Sequence, residues 1–174
     1  MRRLHFIDFR PLFVYIIVML EVITHPNPIL KKQSQVVTNI SSTEIQALIP
    51  EMIETMHEKD GVGLAAPQIG KNIRMLVINH CDNELIIFNP NIKKKSFLKE
   101  WGEEGCLSVP GKYGDVKRHR SVTMDFLDKN GNRQIIKAKG LLARILQHEI
   151  DHLDGILFIE KAKKIHDIEP TLDA

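Results

Sequence analysis

Gln147-His148-Glu149-Ile150-Asp151-His152 is the stretch on which the reading of this chain turns. Two imidazoles lie four residues apart, with a carboxylate beside the first. On a helix, positions i and i+4 differ by only about 40° around the axis, so both rings project from one face. That spacing lets both rings reach a single metal ion, with Glu149 placed to act as base toward a water on it. Working outward, Gly140 opens the helix and Gly155 is placed to end it. Leu141 and Ile145 share the histidine face, which predicts that this face points inward. Either histidine alone reads more readily as a core residue satisfied by hydrogen bonds. The pair at i, i+4 with an interposed Glu favours a metal.

Two imidazoles do not complete a catalytic site, which usually keeps three protein ligands and an open position. After His152 the candidates are Asp154, Glu160, His166, Asp167 and Glu169, none within a recognisable motif. Upstream, Glu104-Gly105-Cys106-Leu107-Ser108 offers a thiolate, a stronger donor if its loop folds over the helix. A mixed sulfur and imidazole set suits zinc, iron, cobalt or nickel on chemical grounds. The first reading is therefore a metal-dependent hydrolase.

The rest of the chain supports one ordinary globular domain. Its 174 residues are 43% hydrophobic and 26% charged, with a formal charge of +2. That balance gives no footprint for broad nucleic-acid binding, and Lys93-Lys94-Lys95 reads as a solvated segment. Two cysteines imply no disulfide framework; Cys81, in a polar turn, reads as structural or incidental. Ser41 and Glu44 have capping-box spacing, and Ile45, Leu48, Ile49, Met52, Ile53 and Met56 follow a helical period that Pro50 should kink or interrupt. Strands are expected at 73–79, 84–88, 92–98, 121–127 and 133–138, the last two joined by the Asp128-Lys129-Asn130-Gly131 turn. The expected class is α+β: antiparallel sheets packed around a central motif-bearing helix, with one N-terminal helix.

Residues 1–18 need a separate reading. Leu12 to Leu20 is almost wholly apolar and follows Arg2, Arg3 and Arg10. The run is too short to span a bilayer, so no membrane association is expected. It is read as a targeting piece, as a surface segment, or as an extension upstream of a start at Met19; the last is favoured. The catalytic domain is then 19–174.

Three motifs in order carry a close resemblance to the peptide deformylase family: Gly61-Val62-Gly63-Leu64-Ala65-Ala66-Pro67-Gln68, then Glu104-Gly105-Cys106-Leu107-Ser108, then His148-Glu149-Ile150-Asp151-His152 with its flanks. The histidine motif alone would also admit an endopeptidase. The resemblance implies that Cys106, His148 and His152 bind the metal and that Glu149 is the proton carrier. It implies oxyanion donors at the Leu107 N–H and the Gln68 side-chain amide, where the local reading of Gln68 alone is equally a turn. The implied metal is Fe2+, with Zn2+, Ni2+ or Co2+ as substitutes. The implied substrate is the formylmethionyl end of nascent peptides, encountered close to the ribosome in the cytoplasm, or in a bacterial-derived organelle if residues 1–18 are a targeting segment. Gly63 is expected to let the peptide backbone approach a strand edge, and Val62 and Ile145 are expected to wall a methionine pocket; core packing is the other reading of Ile145. The alternatives are a metallopeptidase cutting internal amides and a non-catalytic formyl-peptide-binding relative. Two departures from the family pattern stand out. Gly102 falls where many members place an apolar pocket wall, leaving that wall missing or supplied by Trp101. The chain also ends sixteen residues after Phe158, so a ribosome contact through a long terminal helix is not carried over.

Overall fold

The computed structural model describes residues 20–81 and 83–167. Helix α1 (Thr43–Glu58) is followed by strands β1 (Gly63–Ala65), β2 (Met75–His80), β3 (Asn83–Lys95), β4 (Lys99–Cys106), β5 (Val109–His119), β6 (Ser121–Leu127) and β7 (Arg133–Lys139). Helix α2 (Gly140–Leu153) and the short strand β8 (Ile165–Asp167) complete the described chain. The strands form two antiparallel sheets, one ordered β1-β2-β3-β6-β7 and the other β4-β5-β8. This is the α+β class expected, with α2 at its centre.

The larger sheet is built by side-chain alternation. On β2, Leu76 and Ile78 face α2 and meet Ala143, Leu146, Ile150 and Leu153, while Met75 and Val77 face α1 and meet Met52 and Met56. A strand covered on both faces reads as a continuous apolar run, as Met75-Leu76-Val77-Ile78 does. On β6 only Val122, Met124 and Phe126 belong to this core, so the alternation shows plainly in the sequence. Fully burying each such side chain stabilises the fold by about 1.5–3 kcal/mol.

Several local expectations are corrected. Helix α1 is capped by Ser42, whose hydroxyl accepts from the Ile45 N–H at 3.4 Å; Ser41 instead bonds Asn39. Pro50 does not interrupt α1, because it lies on the exposed face, where the carbonyl it leaves without a donor can be hydrated. The segments expected at 84–88 and 92–98 are largely one strand, β3, with register shifts between Phe88 and Asn91 and between Ile92 and Lys94. Leu141 does not point inward; it is 70% exposed in the first turn of α2, and burial begins at Ala143. Among the described residues no helix is long and apolar enough to cross a membrane.

Candidate metal centre

Helix α2 delivers three side chains to one place. His148, Glu149 and His152 are all buried on it. Cys106 comes from the other sheet, at the end of β4, where the pairing shifts from Gly105 opposite Tyr113 to Cys106 opposite Val109. That tight reversal places the sulfur over the helix. One ligand atom each from Cys106, His148 and His152 lie within 4.8 Å of one another, with Cys106 Sγ 3.2 Å from His152 Nε2. Of the alternative third ligands, Asp154 bonds Arg74, Glu160 pairs with Lys31, His166 with Glu103 and Asp167 with Lys112; Glu169 lies outside the described residues.

The donors fit a divalent ion. A thiolate and two imidazoles are a soft to borderline set. Glu104 Oε2 lies 2.9 Å from His148 Nδ1, and an ionised carboxylate only accepts, so Nδ1 carries the proton and Nε2 is left for a metal. Burial alone would lower the His148 pKa, yet hydrogen bonds to Cys106 and Glu104 and the charge of Glu149 raise it to about 10. The surroundings thus favour positive charge at this point. Burial, then the charges of His148 and Arg118, hold His152 well below the usual imidazole range, in its neutral, ligating form. Its Nδ1 is buried without a hydrogen-bond partner among the described residues.

Glu149 is buried, and burial is the main cause that lifts its carboxyl to about 7. It occupies the space above Gly63. A Cβ at position 63 would fall 2.5 Å from Glu149 Oε1 and 2.9 Å from its carboxyl carbon, so the residue type there is dictated by the helix. Gly63 also lies on β1, the edge strand of its sheet. The 3-10 turn Ala66–Ile69 follows directly and aims Gln68. Its Oε1 accepts from the Ala65 N–H at 2.8 Å, which turns Nε2 toward Cys106 Sγ (3.6 Å) and Ser108 Oγ (3.3 Å). The Leu107 N–H has no partner among the described residues.

These groups open onto a cleft of about 880 Å³ whose wall includes Val62, Leu107, Leu141 and Ile145. Val62 is 55% exposed and Ile145 only 8%, but both border the space. Trp101 does not; it lies half-exposed near Lys117 and Lys163. The room left by Gly102 is taken by Arg144, whose guanidinium would lie 2.6–3.1 Å from a Cβ built there. Of the two expectations for this place, a missing wall or one supplied by Trp101, the second is corrected: Trp101 does not border the cleft, and Arg144 stands beside Gly102.

The charges behind the candidate ligands are not foreseen from the sequence. Glu104 Oε1 accepts from Arg118 Nε at 2.9 Å and from Arg144 Nη1 at 2.8 Å; Oε2 accepts from Arg118 Nη2 and His148. Arg118 continues to Asp151, which also holds Lys161. Burial opposes ionisation of Glu104, but Arg118 and His148 outweigh it and hold its carboxyl at about 2. Only the rule that buried charges are paired could have pointed here, and burial is not legible from local sequence.

The family model described as "Polypeptide deformylase" matches residues 19–167. The chain is 46% identical over 146 residues to a protein named peptide deformylase 1 from Vibrio vulnificus, across 82% of this chain and 85% of that one. Its fold is similar to the crystal structure of a peptide deformylase from Synechococcus elongatus in complex with actinonin (TM-score 0.80, 39% identity, 83% of this chain and 79% of that chain). It is also similar to a class I type b peptide deformylase from Acinetobacter baumannii with Met-Ala-Ser bound (TM-score 0.79, 36% identity, 83% of this chain and 99% of that chain).

Proposed function

The chain belongs to the polypeptide deformylase family, and from that premise we propose how its residues carry the family's reaction, removal of the formyl group from the N-terminal formylmethionine of nascent polypeptides. The observation that carries this reading is the meeting of one sulfur and two imidazoles beside a buried glutamate at the floor of a cleft. Cys106, His148 and His152 would hold one divalent ion, Fe2+ by family resemblance, with Zn2+, Ni2+ or Co2+ as substitutes. When bound, that ion supplies Lewis-acid chemistry, acidifying water and polarising a carbonyl oxygen.

The chain's own groups do the rest. Glu149 removes a proton from the attacking water as the new C–O bond forms at the formyl carbon. It then gives that proton to the peptide nitrogen as the C–N bond breaks, releasing formate and a free amino terminus. Gln68 Nε2 and the Leu107 N–H are donors for the oxyanion, because each faces the centre or is free to do so. The open edge of β1 at Gly63 receives the peptide backbone, while Val62 and Ile145 border the first side chain. The expected setting is the cytoplasm, with transient proximity to the ribosome, or a bacterial-derived organelle if residues 1–18 are a targeting segment.

The test is formate release from formyl-Met-Ala-Ser by the nickel-loaded protein. Formate without internal cleavage supports the reading. Cleavage of internal bonds without formate would make the protein a metallopeptidase, and binding without turnover a formyl-peptide receptor. Glu149→Ala is expected to keep its metal and lose about 10²–10⁴-fold in turnover. An undiminished rate removes Glu149 as the proton carrier.

A further inference from the structure

Arg144 lies one helical turn before His148, on the same side of α2, and borders the cleft. Gly102 admits it, since any Cβ there would fall 2.6 Å from Nη2 and 2.7 Å from the guanidinium carbon. The head group is locked in place. Nη1 donates to the carbonyls of Gly102 (3.2 Å) and Val116 (3.0 Å) and to Glu104, and Nη2 donates to the Glu100 carbonyl at 3.2 Å. These contacts leave the Nε–H and one Nη2–H without an acceptor among the described residues, on a side chain 12% exposed. The neighbouring cleft walls, Val62, Leu141 and Ile145, carry no side-chain donor. A planar cation, paired with Glu104, therefore shares the cleft wall with the apolar Leu141 and Ile145, one helical turn from His148.

We propose that Arg144 is a specificity-determining residue of this site: it favours a first side chain that ends in a hydrogen-bond acceptor, a thioether or a sulfoxide, over a hydrocarbon of the same length. The inference rests on the reading of the cleft as the seat of a formylated peptide. A hydrocarbon tip against a desolvated guanidinium gains nothing from the free donor. Thioether sulfur is a weak acceptor and sulfoxide oxygen a strong one. The protein should thus process formylmethionine sulfoxide ends as well as formylmethionine ends.

The experiment uses the nickel-loaded full chain and formyl-X-Ala-Ser peptides in which X is methionine, norleucine or methionine sulfoxide. Binding of the corresponding unformylated tripeptides is measured calorimetrically as a readout independent of turnover. The wild type is expected to prefer methionine to norleucine several-fold. In Arg144→Met that preference should vanish, and the sulfoxide should fall at least about tenfold relative to norleucine, as for loss of one bond from a charged donor. Gly102→Ala keeps the arginine but pushes its head group aside, and should move both ratios the same way even if Arg144→Met does not fold. Ratios that stay constant while all three substrates weaken together would make Arg144 a structural clamp only, and the proposal would fail. Absence of formate from every peptide, with the predicted order kept in tripeptide binding, would instead sink the deformylase reading and leave the wall standing.

Discussion

The two sheets that meet at the cleft hold α2 by opposite chemistry. The five-stranded sheet grips it through side chains such as Leu76, Ile78 and Met124, packed in one core with Leu146 of the helix, all fully buried and apolar. The three-stranded sheet grips it through ions: Glu104 and Arg118 from the strands, His148, Arg144 and Asp151 from the helix. Apolar contact is non-directional and forgiving of small shifts. Hydrogen-bonded charge fixes distance and angle, and a metal site needs such fixing. The apolar side accordingly contributes net stability, whereas the ionic side contributes aim and costs stability only when one of its charges loses its partner.

Breaking the ionic side should give the largest effect. Glu104→Gln leaves Arg118 and Arg144 buried and short of a charge, which is expected to cost about 3–5 kcal/mol of stability in urea unfolding. It also weakens the acceptor that orients His148, so metal affinity should drop about 10–100-fold, read as metal content after gel filtration. A variant that retains metal like the wild type would show that aim does not come from this network. On the apolar side, Leu146→Ala should cost about 2–5 kcal/mol by leaving a cavity. Its folded fraction is expected to keep full metal content and full formate release. Equal metal loss in the two variants would erase the distinction between the sheets.

The same contrast explains what the sequence disclosed. The apolar sheet was legible because its pattern is periodic: β6 and β7 fall within a residue of their expected bounds, and α2 runs between Gly140 and Gly155 as the glycines indicate. The ionic sheet was not. β4 reads Lys-Glu-Trp-Gly-Glu-Glu-Gly-Cys and β5 carries Gly111, Gly114 and four charged residues among its eleven, so no alternation shows. Gly105 and Gly114 are there for close approach, to the Tyr113 ring and to the Lys164 carbonyl. Glu104 and Arg118 look like surface charges because nothing local reveals that each is buried by the other. The candidate ligands His148 and His152 are legible because metal chemistry constrains residue type and spacing; that they and Cys106 converge is visible only in three dimensions. Leu141 shares the periodic face yet is exposed, because periodicity assigns a face but not the point along a helix where cover begins.

Where the sheets touch the chemistry, the apolar side makes one contact that does aim. Gly63 on β1 leaves room for the Glu149 carboxylate. Gly63→Ala should push that carboxylate aside and lower turnover about 10²-fold. Its metal content should stay whole, since neither residue is in the proposed ligand set, and its stability should change by no more than about 1–3 kcal/mol. Metal loss here would place Glu149 among the ligands rather than beside them.

The smallest effect sharpens the comparison at the greatest distance. Helix α1 covers the face of the large sheet opposite α2, through Leu48, Met52 and Met56. Its first turn has four free N–H groups, and Ser42 satisfies one of them across 3.4 Å, a long bond. Ser42→Ala is therefore expected to cost about 0.5–1 kcal/mol, at the lower end for a lost cap. Ser41→Ala removes only an exposed contact with Asn39 and should cost less than Ser42→Ala, although capping-box spacing with Glu44 singles out Ser41. Neither change reaches the ions behind His148, so formate release per folded molecule should be unchanged in both. A Ser42 variant that lost activity while folded would mean that α1 helps to aim the site through the sheet, and the division between a stabilising side and an aiming side would fail on the apolar side first.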